Sequence, residues 1–527
     1  MAAFVISAFA HLPRLGRAGF VFAREGVLGL VDAGPLPAGA RAALRLARLI
    51  ERPTGNGAAV RLAAALTRLG PTYVKLGQFL ATRPDIVGTV LARDLETLQD
   101  KMAPFPQAEA EAAVARALGR PLSASFSSFG PAVAAASIAQ VHRAEIMTPE
   151  GARPVAVKVL RPGIAHRFRA DLDAFHFAAR NAERQSPEAE RLRLTEVVDT
   201  LARSVAIEMD FRLEAAALSE MAENTRDDPD FRVPHVDWDR TARDVLTLEW
   251  IDATALSDRA ALQAKGFDLE HLGRAVMQTF LRHALRDGFF HADMHPGNLF
   301  VDDGGRLVAV DFGIMGRLGP KERRFLAEIL YGFITRNYRR TAEVHFEAGY
   351  VPPHHSVESF AQAIRAIGEP IHSRSAEDIS MAKLLTLLFE ITGLFDMRTR
   401  PELLLLQKTM VVVEGVARSL DPKLDMWKTA EPVVREWVER HLGPAGRLEG
   451  AADGASEVGR FIGSVPALLT RAATLVDQLD FITRNGLVLA PETVRAIGAA
   501  EARRNRWMTI ALWVIAGLVA ILIWQMV

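Results

Sequence analysis

Four polar side chains that lie far apart in this 527-residue chain place the strongest constraint on its fold. They are Lys158 in V-A-V-K, Asp293 and Asn298 in H-A-D-M-H-P-G-N, and Asp311 in D-F-G. ATP chemistry needs a cation that binds phosphates, a carboxylate that orients the attacking group, and oxygen ligands for Mg²⁺. Because these groups meet each of those needs, the sequence predicts that they converge on one magnesium-bound nucleotide.

The order of the motifs matches that of a protein kinase fold, in which the lysine lies on a strand and D-F-G follows the catalytic loop. Asp293 and Asn298 are five positions apart, as in H-R-D-x-x-x-x-N. Asp311 follows Asp293 by eighteen, at the end of a predicted strand over 307–310. The predicted class is α+β, a two-lobe, protein-kinase-like fold with an N-terminal helical extension and a C-terminal transmembrane helix. A rival interpretation, in which H-A-D-M-H binds the metal of a hydrolase, leaves Asn298 and D-F-G unexplained.

Composition excludes several functional classes. The chain has 63 Lys and Arg against 63 Asp and Glu, so no overall charge favours nucleic acid, and none is predicted as a partner. It has no cysteine, which excludes disulfides, thiolate nucleophiles and cysteine-ligated zinc or iron–sulfur clusters.

The last 21 residues, 507–527, contain no charge, and Gln525 is their one strongly polar side chain. A helix of that length is about 30 Å long, which matches the hydrocarbon core of a bilayer. We predict a single-pass anchor over 505–527, preceded by a linker and helices over 443–504. The three arginines that precede the apolar run favour retention of the long N-terminal part in the cytoplasm. The alternative is a buried helix of a globular domain.

A basic arm over 1–56 and a helical extension over 57–118 are predicted ahead of the first sheet, and apolar periodicity predicts helices from about 58 to 69 and near 107 to 118 within that extension. Residues 1–52 carry seven Arg against three acidic side chains, an excess of 7 − 3 = +4. Such an arm suits either a membrane surface or a solvated helix. In the extension, Lys75 and Gln78 of K-L-G-Q are three positions apart and share one helix face, so both could reach one polar target. A solvated pair would show the same spacing.

Strand-forming residues dominate a predicted small lobe over 119–250. Alternation in V-A-V-K-V places Lys158 on the face opposite Val157 and Val159, toward the phosphates of a nucleotide. A solvated edge lysine is the alternative.

Upstream of this strand, alanine replaces all three glycines of a kinase glycine-rich loop. Alanine makes the positive-φ conformations of such a loop less favourable by about 1 kcal/mol per site, so we expect a stiffer loop. The predicted nucleotide-contacting residues of the loop are Ala134, Ala135, Ala136, Ser137, Ile138, Ala139 and Val141.

A kinase-like fold needs a carboxylate that holds the strand lysine in place. Glu208, Asp210 and Glu214 of the next helical stretch are the candidates, and Glu208 is favoured. Surface pairing of these acids with Arg203 or Arg212 would give the same pattern.

An apolar strand then enters the linker between the lobes. Glu249 and Ile251, at the end of that strand, are predicted to contact adenine through their backbone. A large, mostly helical lobe is predicted over 251–442.

The whole set of motifs resembles that of the UbiB family of atypical kinase-like ATPases, the aarF-domain group. Aminoglycoside and choline kinase-type phosphotransferases share H-x-D-x-x-x-x-N but have no K-x-G-Q helix. The resemblance covers roughly residues 60–430. It rests on K-L-G-Q (Lys75, Gln78), A-A-A-S (134–137), V-A-V-K (Lys158), E-M-D (Glu208, Asp210), H-A-D-M-H-P-G-N and D-F-G.

This resemblance implies a membrane-bound protein that supports ubiquinone biosynthesis, in which the K-x-G-Q helices fold over the cleft. It implies that Lys75 reaches the E-x-D acids and helps to fill the space of a peptide substrate, so Lys75, Gln78, Glu208 and Asp210 join the catalytic set. No A-P-E follows D-F-G at the usual position. Family members often have two predicted membrane spans at the C-terminal tail, whereas one is predicted here. A homodimer is the oligomeric state that this resemblance leaves open.

We therefore expect an ATPase that uses ATP and Mg²⁺ at the cytoplasmic face of the bacterial inner membrane. Lys158 would hold the α and β phosphates, Asn298 and Asp311 would hold Mg²⁺, and Asp293 would orient a water molecule. The expected partners are membrane lipids, quinone precursors and ubiquinone biosynthesis proteins. The alternatives are a Ser/Thr protein kinase that uses the same residues, and a nucleotide-binding scaffold without turnover.

Overall fold

The computed structural model describes residues 2–27, 49–52, 58–372, 391–397 and 401–443, apart from 82, 89–90, 92–93, 96–97, 99–101, 186 and 392. The chain divides into two compact units, Met1–Val438 and Glu439–Val527, and only residues 439–443 of the second are described. The predicted anchor, and all but the first residue of the predicted linker and C-terminal helices, therefore lie outside the described residues. Within the described part, no helix combines the length and apolar character that crossing a membrane requires.

Helices make up the N-terminal extension. Ala18 and Val21 of the first helix share a buried cluster with Leu66, Leu69 and Val74 of the next two. The predicted helix from about 58 to 69 is confirmed, as is the one from 107 to 118. The bounds are α1 Ala2–Arg24, α2 Ala58–Leu69, α3 Pro71–Ala81, α4 Pro84–Val87, α5 Gln107–Leu118 and α6 Leu122–Ser125.

Strands form three separate sheets in the described part of the chain. Their bounds are β1 Ser128–Ala135, β2 Ala139–Thr148, β3 Gly151–Leu160, β4 Phe231–Arg232, β5 Val245–Glu249, β6 Ala253–Ala255, β7 Phe289–His291, β8 Leu299–Asp302, β9 Leu307–Ala309 and β10 Met315–Arg317.

Further helices connect and cover these sheets. They are α7 Ile164–Gln185, α8 Pro187–Leu192, α9 Leu194–Glu208, α10 Phe211–Asn224, α11 Arg259–Ala264, α12 Leu269–Arg282, α13 Pro320–Ile334, α14 Tyr338–Glu347, α15 Val357–His372, α16 Pro401–Leu420 and α17 Met426–Leu442, with a 3₁₀ turn at Trp238–Arg240 and a π turn at His283–Asp287.

The small lobe is built on a four-stranded antiparallel sheet of order β1-β2-β3-β5. Lys158 on β3 pairs with Val141 on one side and Leu246 on the other, so it sits on an interior strand and is not an edge lysine. Val157 and Val159 are fully buried in a cluster with Val114 of α5. This burial confirms the predicted alternation, which leaves Lys158 on the opposite face.

Two smaller sheets, β4-β9-β8-β6 and β7-β10, shape the large lobe. Met315 of β10 pairs with His291 of β7, so these short antiparallel strands bracket the catalytic loop and D-F-G. β9 ends at Ala309, close to the predicted strand over 307–310. Helices α12 and α16 approach closely at Gly273, where a Cβ would lie 3.0 Å from the Ala417 carbonyl oxygen.

Replacement of Gly77, the glycine of K-L-G-Q, by Ala is expected to destabilise the protein by about 1–3 kcal/mol because the packed core would have to move. The new Cβ would lie 2.7 Å from Leu66 Cδ1 and 2.9 Å from Leu98 Cδ2, and both leucines are buried. Gly415→Ala is the matched control, since nothing lies within 4 Å of a Cβ at that helix position.

Alanine at position 415 should instead stabilise the protein by about 0.5–1 kcal/mol, through the helix propensity alone. Urea unfolding of both variants measures the difference. An unchanged midpoint for Gly77→Ala would contradict the packing constraint.

Candidate active site

Lys158 lies between two carboxylates that come from different parts of the chain. Its Nζ donates to both carboxylate oxygens of Glu214 at 2.9 and 3.0 Å, and to Asp311 Oδ1 at 3.1 Å. Only 6% of the Glu214 side chain is exposed, whereas 53% of the Asp311 side chain is exposed. One ammonium group thus joins the small-lobe sheet, helix α10 and the D-F-G turn.

The prediction that Glu208 holds Lys158 is wrong, because the helix breaks between the two candidate acids. Helix α9 ends at Glu208, and the next helix begins at Phe211. Phe211, Glu214, Ala215 and Leu218 form the buried face of that helix, so Glu214 points inward toward Lys158. In the sequence, the apolar residues at 211, 215 and 218 have helical spacing, and this spacing indicates which face of the helix is buried.

Glu208 instead pairs with Lys75 of the extension, with Nζ and Oε2 2.6 Å apart. Lys75 thus reaches the first E-x-D acid, as the family resemblance implies. It does not pair with Asp210, which caps helix α10 by accepting from the Arg212 amide at 3.2 Å and from its guanidinium at 2.9 and 2.6 Å. Gln78 lies one turn after Lys75 on α3 and is half-buried.

Lys158 and its two carboxylate partners shift one another's pKa values. The Lys158 ammonium lowers the pKa of Asp311 to about 2, and Lys75 adds to this effect. Burial alone would lower the pKa of Lys158, but Asp311 and Glu214 raise it well above its ordinary value. Burial raises the pKa of Glu214, while Lys158 opposes that shift. The Lys158–Asp311 pair is therefore ionised at neutral pH.

Backbone groups hold the catalytic loop in place. His291 Nε2 lies 3.1 Å from the Val310 carbonyl, and the Asp293 amide donates to His291 Nδ1 at 3.0 Å. This pattern requires the neutral imidazole with its proton on Nε2, and burial lowers the pKa of His291 accordingly. Asn298 Nδ2 donates to the Asp293 carbonyl at 3.0 Å and to Asp293 Oδ2 at 3.3 Å. The Asn298 amide oxygen is therefore directed away from Asp293.

The D-F-G turn places its carboxylate through an uncommon backbone conformation. Asp311 has φ of 62°, in the left-handed region that non-glycine residues seldom adopt. Phe312 is buried and packs edge-on against His291, with ring centroids 4.9 Å apart. The buried ring and the contact with Lys158 hold Asp311 in this conformation.

The alanine-rich loop forms a tight turn between β1 and β2. The Ala136 amide donates to the Ala139 carbonyl at 2.8 Å, and the Ile138 carbonyl accepts from the Arg161 amide at 2.7 Å. Ala134 pairs with Val141 in the ladder, while Ser137, Ile138 and Ala139 are buried. The loop residues are thus held by the sheet itself, and their contact with a nucleotide stays a prediction.

Gln140, which sequence reasoning missed, ties this loop to the extension. Its buried side chain accepts from the Phe105 amide at 2.9 Å and donates to the Phe105 carbonyl at 3.3 Å. Two polar residues, Gln140 and His142, alternate with Val141 on this strand, and that pattern was the available signal.

At the end of β5, the Glu249 side chain is engaged within the protein. It accepts from Arg232 Nη1 at 3.0 Å and from the His235 amide at 3.2 Å. Ile251 lies two residues beyond Glu249 and is half-buried. The Glu249 amide also donates to the His235 carbonyl at 2.8 Å, and the predicted adenine contacts of Glu249 and Ile251 stay a prediction.

Thr409, also missed from the sequence, links the C-terminal helices to the catalytic loop. Its buried hydroxyl lies 3.1 Å from the Ala292 carbonyl and 2.8 Å from that of Leu405. Helix α16 thereby touches the residue that precedes Asp293.

This fold, with its strand lysine, catalytic loop and D-F-G turn, defines an atypical kinase-like protein. Residues 97–345 match the family model described as the ABC1 atypical kinase-like domain, and residues 364–425 match the UbiB helical domain. The chain belongs to the UbiB family, which confirms the resemblance seen in its motifs.

Two relatives carry the name "Probable protein kinase UbiB". The protein of Marinobacter nauticus is 39% identical over 447 residues, which cover 83% of this chain and 81% of the relative. That of Azotobacter vinelandii is 40% identical over 396 residues, 74% of this chain and 73% of the relative. A solved structure is described as the complex of Rv3197 with erythromycin from Mycobacterium tuberculosis. Its chain is 25% identical in sequence, the match covers 76% of the present chain and 98% of the chain in that structure, and the TM-score is 0.47.

Glu214→Gln is expected to weaken ATP binding about tenfold or more, because hydrogen bonds to a charged partner are worth about 1.5–3 kcal/mol. The change keeps the shape of the side chain but removes the charge that positions Lys158. Glu220→Gln, on the same helix but in an exposed pair with Arg317, is the control. Nucleotide titration of both variants provides the measurement, and equal affinity for Glu214→Gln and wild type would refute the role of Glu214.

Proposed function

We propose that the protein is a Mg²⁺-dependent ATPase that supports ubiquinone biosynthesis at a membrane. The observation that carries the proposal is the contact of Lys158 Nζ with Asp311 Oδ1 at 3.1 Å. A cation suited to phosphates and a carboxylate suited to magnesium are adjacent, as one nucleotide with its metal requires.

The side chains near this contact suit Mg²⁺, a hard cation that prefers oxygen ligands. Asp311 is half exposed, and Asn298 uses its amide nitrogen on Asp293, which leaves the amide oxygen available. We assign the metal to Asp311 and Asn298. When bound, Mg²⁺ neutralises the charge on the phosphate oxygens during transfer.

Asp293 is the group that would orient the nucleophile. Its side chain is 44% exposed, and Asn298 holds it by donating to Oδ2 at 3.3 Å. A carboxylate fixed in this way accepts a hydrogen bond from water, aligns the water with the γ-phosphate and takes its proton. Lys158, held by Glu214, would pair with the α and β phosphates.

Two features favour water over a peptide hydroxyl as the acceptor. The Lys75–Glu208 pair fixes helix α3 to the end of helix α9, beside the acids of the cleft. Helix α13 begins at Pro320, so fewer than ten residues separate D-F-G from the next helix. So short a segment offers little surface for a peptide substrate.

The second candidate function is a protein kinase, and the name of the two relatives favours it.

Family membership supports the role in ubiquinone biosynthesis, and the apolar residues 507–527 support a single-pass anchor in the inner membrane with the catalytic part in the cytoplasm. The partners that we propose are membrane lipids, quinone precursors, other ubiquinone biosynthesis proteins and a second copy of the chain. A scaffold without turnover is the third candidate, but it would not need Lys158, Asp293, Asn298 and Asp311 together.

Asp311→Asn is expected to reduce Mg²⁺-dependent ATP hydrolysis at least about a hundredfold, because the metal loses a charged ligand and Lys158 loses its partner. Asp303→Asn is the control, since Asp303 is an exposed acid that pairs with Lys265. Phosphate release by the purified full chain, with and without Mg²⁺, provides the measurement. Release that is undiminished in Asp311→Asn would remove the proposed metal site.

ATP hydrolysis by the full chain in lipid vesicles is expected to rise when quinone precursors are added, because the proposed anchor tethers the chain to the membrane that contains these proposed partners. Phosphate release with and without precursors is compared, and Asp311→Asn protein in the same vesicles sets the background. Rates that do not depend on the precursors, or stoichiometric phosphorylation of a cellular protein, would favour the other candidates.

A further inference from the structure

Three metal-ligating side chains converge on the large lobe, at a place that the ATP site does not use. His354 and His355 lie in the turn between α14 and α15, and Asp396 follows His355 by 41 positions. Nε2 of His354 and Nε2 of His355 lie 3.6 and 3.3 Å from the same oxygen, Asp396 Oδ2. The three ligand atoms all lie within 4.8 Å of one another.

We propose that His354, His355 and Asp396 bind a divalent transition-metal ion, with Zn²⁺ the best match. Two ligand atoms at zinc distances in tetrahedral geometry are about 3.3 Å apart. The two distances from Nε2 to Asp396 Oδ2, 3.6 and 3.3 Å, are close to that value. Two imidazoles and one carboxylate are a known ligand set for Zn²⁺ with one open position. Mg²⁺ and Ca²⁺ prefer oxygen ligands, so this site differs in chemistry from the one at Asp311.

The imidazole rings of His354 and His355 lie on the same side of the chain. The ring centroids of His354 and His355 are 4.1 Å apart, although side chains of consecutive residues in an extended chain point to opposite sides. The turn over 353–354 brings both to one side. His355 also contacts Phe395, with centroids 5.2 Å apart, and Phe395 is buried on Phe360. The hydrophobic core beneath therefore supports His355 and the residue that precedes Asp396.

An ordinary surface ion pair would not need this arrangement. His271 and Asp230 form such a pair, in which one histidine nitrogen lies 3.5 Å from one carboxylate oxygen. In the proposed site a second imidazole shares the same carboxylate oxygen. A bound cation satisfies all three groups at once, because neutral imidazoles and a carboxylate are its ligands.

The position of the site would let a bound ion link two segments of the chain. His354 and His355 lie between the segments that match the kinase-like domain and the helical domain, whereas Asp396 lies inside the second segment. A metal ion held by all three would close the chain between His355 and Asp396. Closing that loop restricts the unfolded chain, so binding should stabilise this part of the lobe.

Titration of ZnCl₂ into the full chain, purified without a histidine tag and free of nucleotide, tests the site. We expect one zinc ion per chain, and at least about tenfold weaker binding for Asp396→Asn and for His354→Ala. Asp396 has φ of 49°, which asparagine tolerates well, so Asp396→Asn should fold normally. His271→Ala, which removes the single-histidine pair, is the control and should bind zinc as wild type does.

Two further measurements distinguish a specific zinc site from nonspecific zinc binding. Zinc should raise the melting temperature of wild type but not of Asp396→Asn, and its affinity should fall in acid because protons compete for the imidazole nitrogens. Equal zinc affinity in wild type, Asp396→Asn and His354→Ala would overturn the proposal, as would no binding at all. A melting temperature that rises equally in wild type and Asp396→Asn would also overturn it.

Discussion

The rest of the structure depends on one interaction, the sharing of Lys158 between Glu214 and Asp311. An ammonium group with 17% of its side chain exposed requires paired charges, because an unpaired buried ion is strongly unfavourable. Its partners come from helix α10 and from the D-F-G turn, so the pairing holds parts of both lobes in one arrangement. The nucleotide site that we propose is built on that arrangement.

The N-terminal extension is joined to this centre through several polar contacts. Lys75 pairs with Glu208, Gln140 holds the backbone of Phe105, and Thr72 donates to the buried Asp171 of helix α7 at 2.7 Å. The break between α9 and α10 separates the acids, so that Glu208 serves the extension and Glu214 serves the strand lysine. Two lysines near one cleft thereby keep distinct partners, and Lys75 still lowers the pKa of Asp311.

Much of the fold could be predicted from local patterns. The alternation around Lys158, the helices over 58–69 and 107–118, and the strand near 307 follow from periodicity and breakers, which act over a few residues. The contacts that were missed or assigned wrongly join residues far apart in the chain. Gln140 with Phe105, Thr409 with Ala292 and Glu214 with Lys158 depend on packing between elements.

The sequence by itself determined which chemical groups are present, their order and the family, because the spacing of V-A-V-K, the catalytic loop and D-F-G encodes them directly. The tertiary structure alone decided which carboxylate each lysine meets, since Glu208 and Glu214 lie on opposite sides of a helix break. It also brought His354, His355 and Asp396 together. Charge pairing acts through space, and residue spacing along the chain does not specify it.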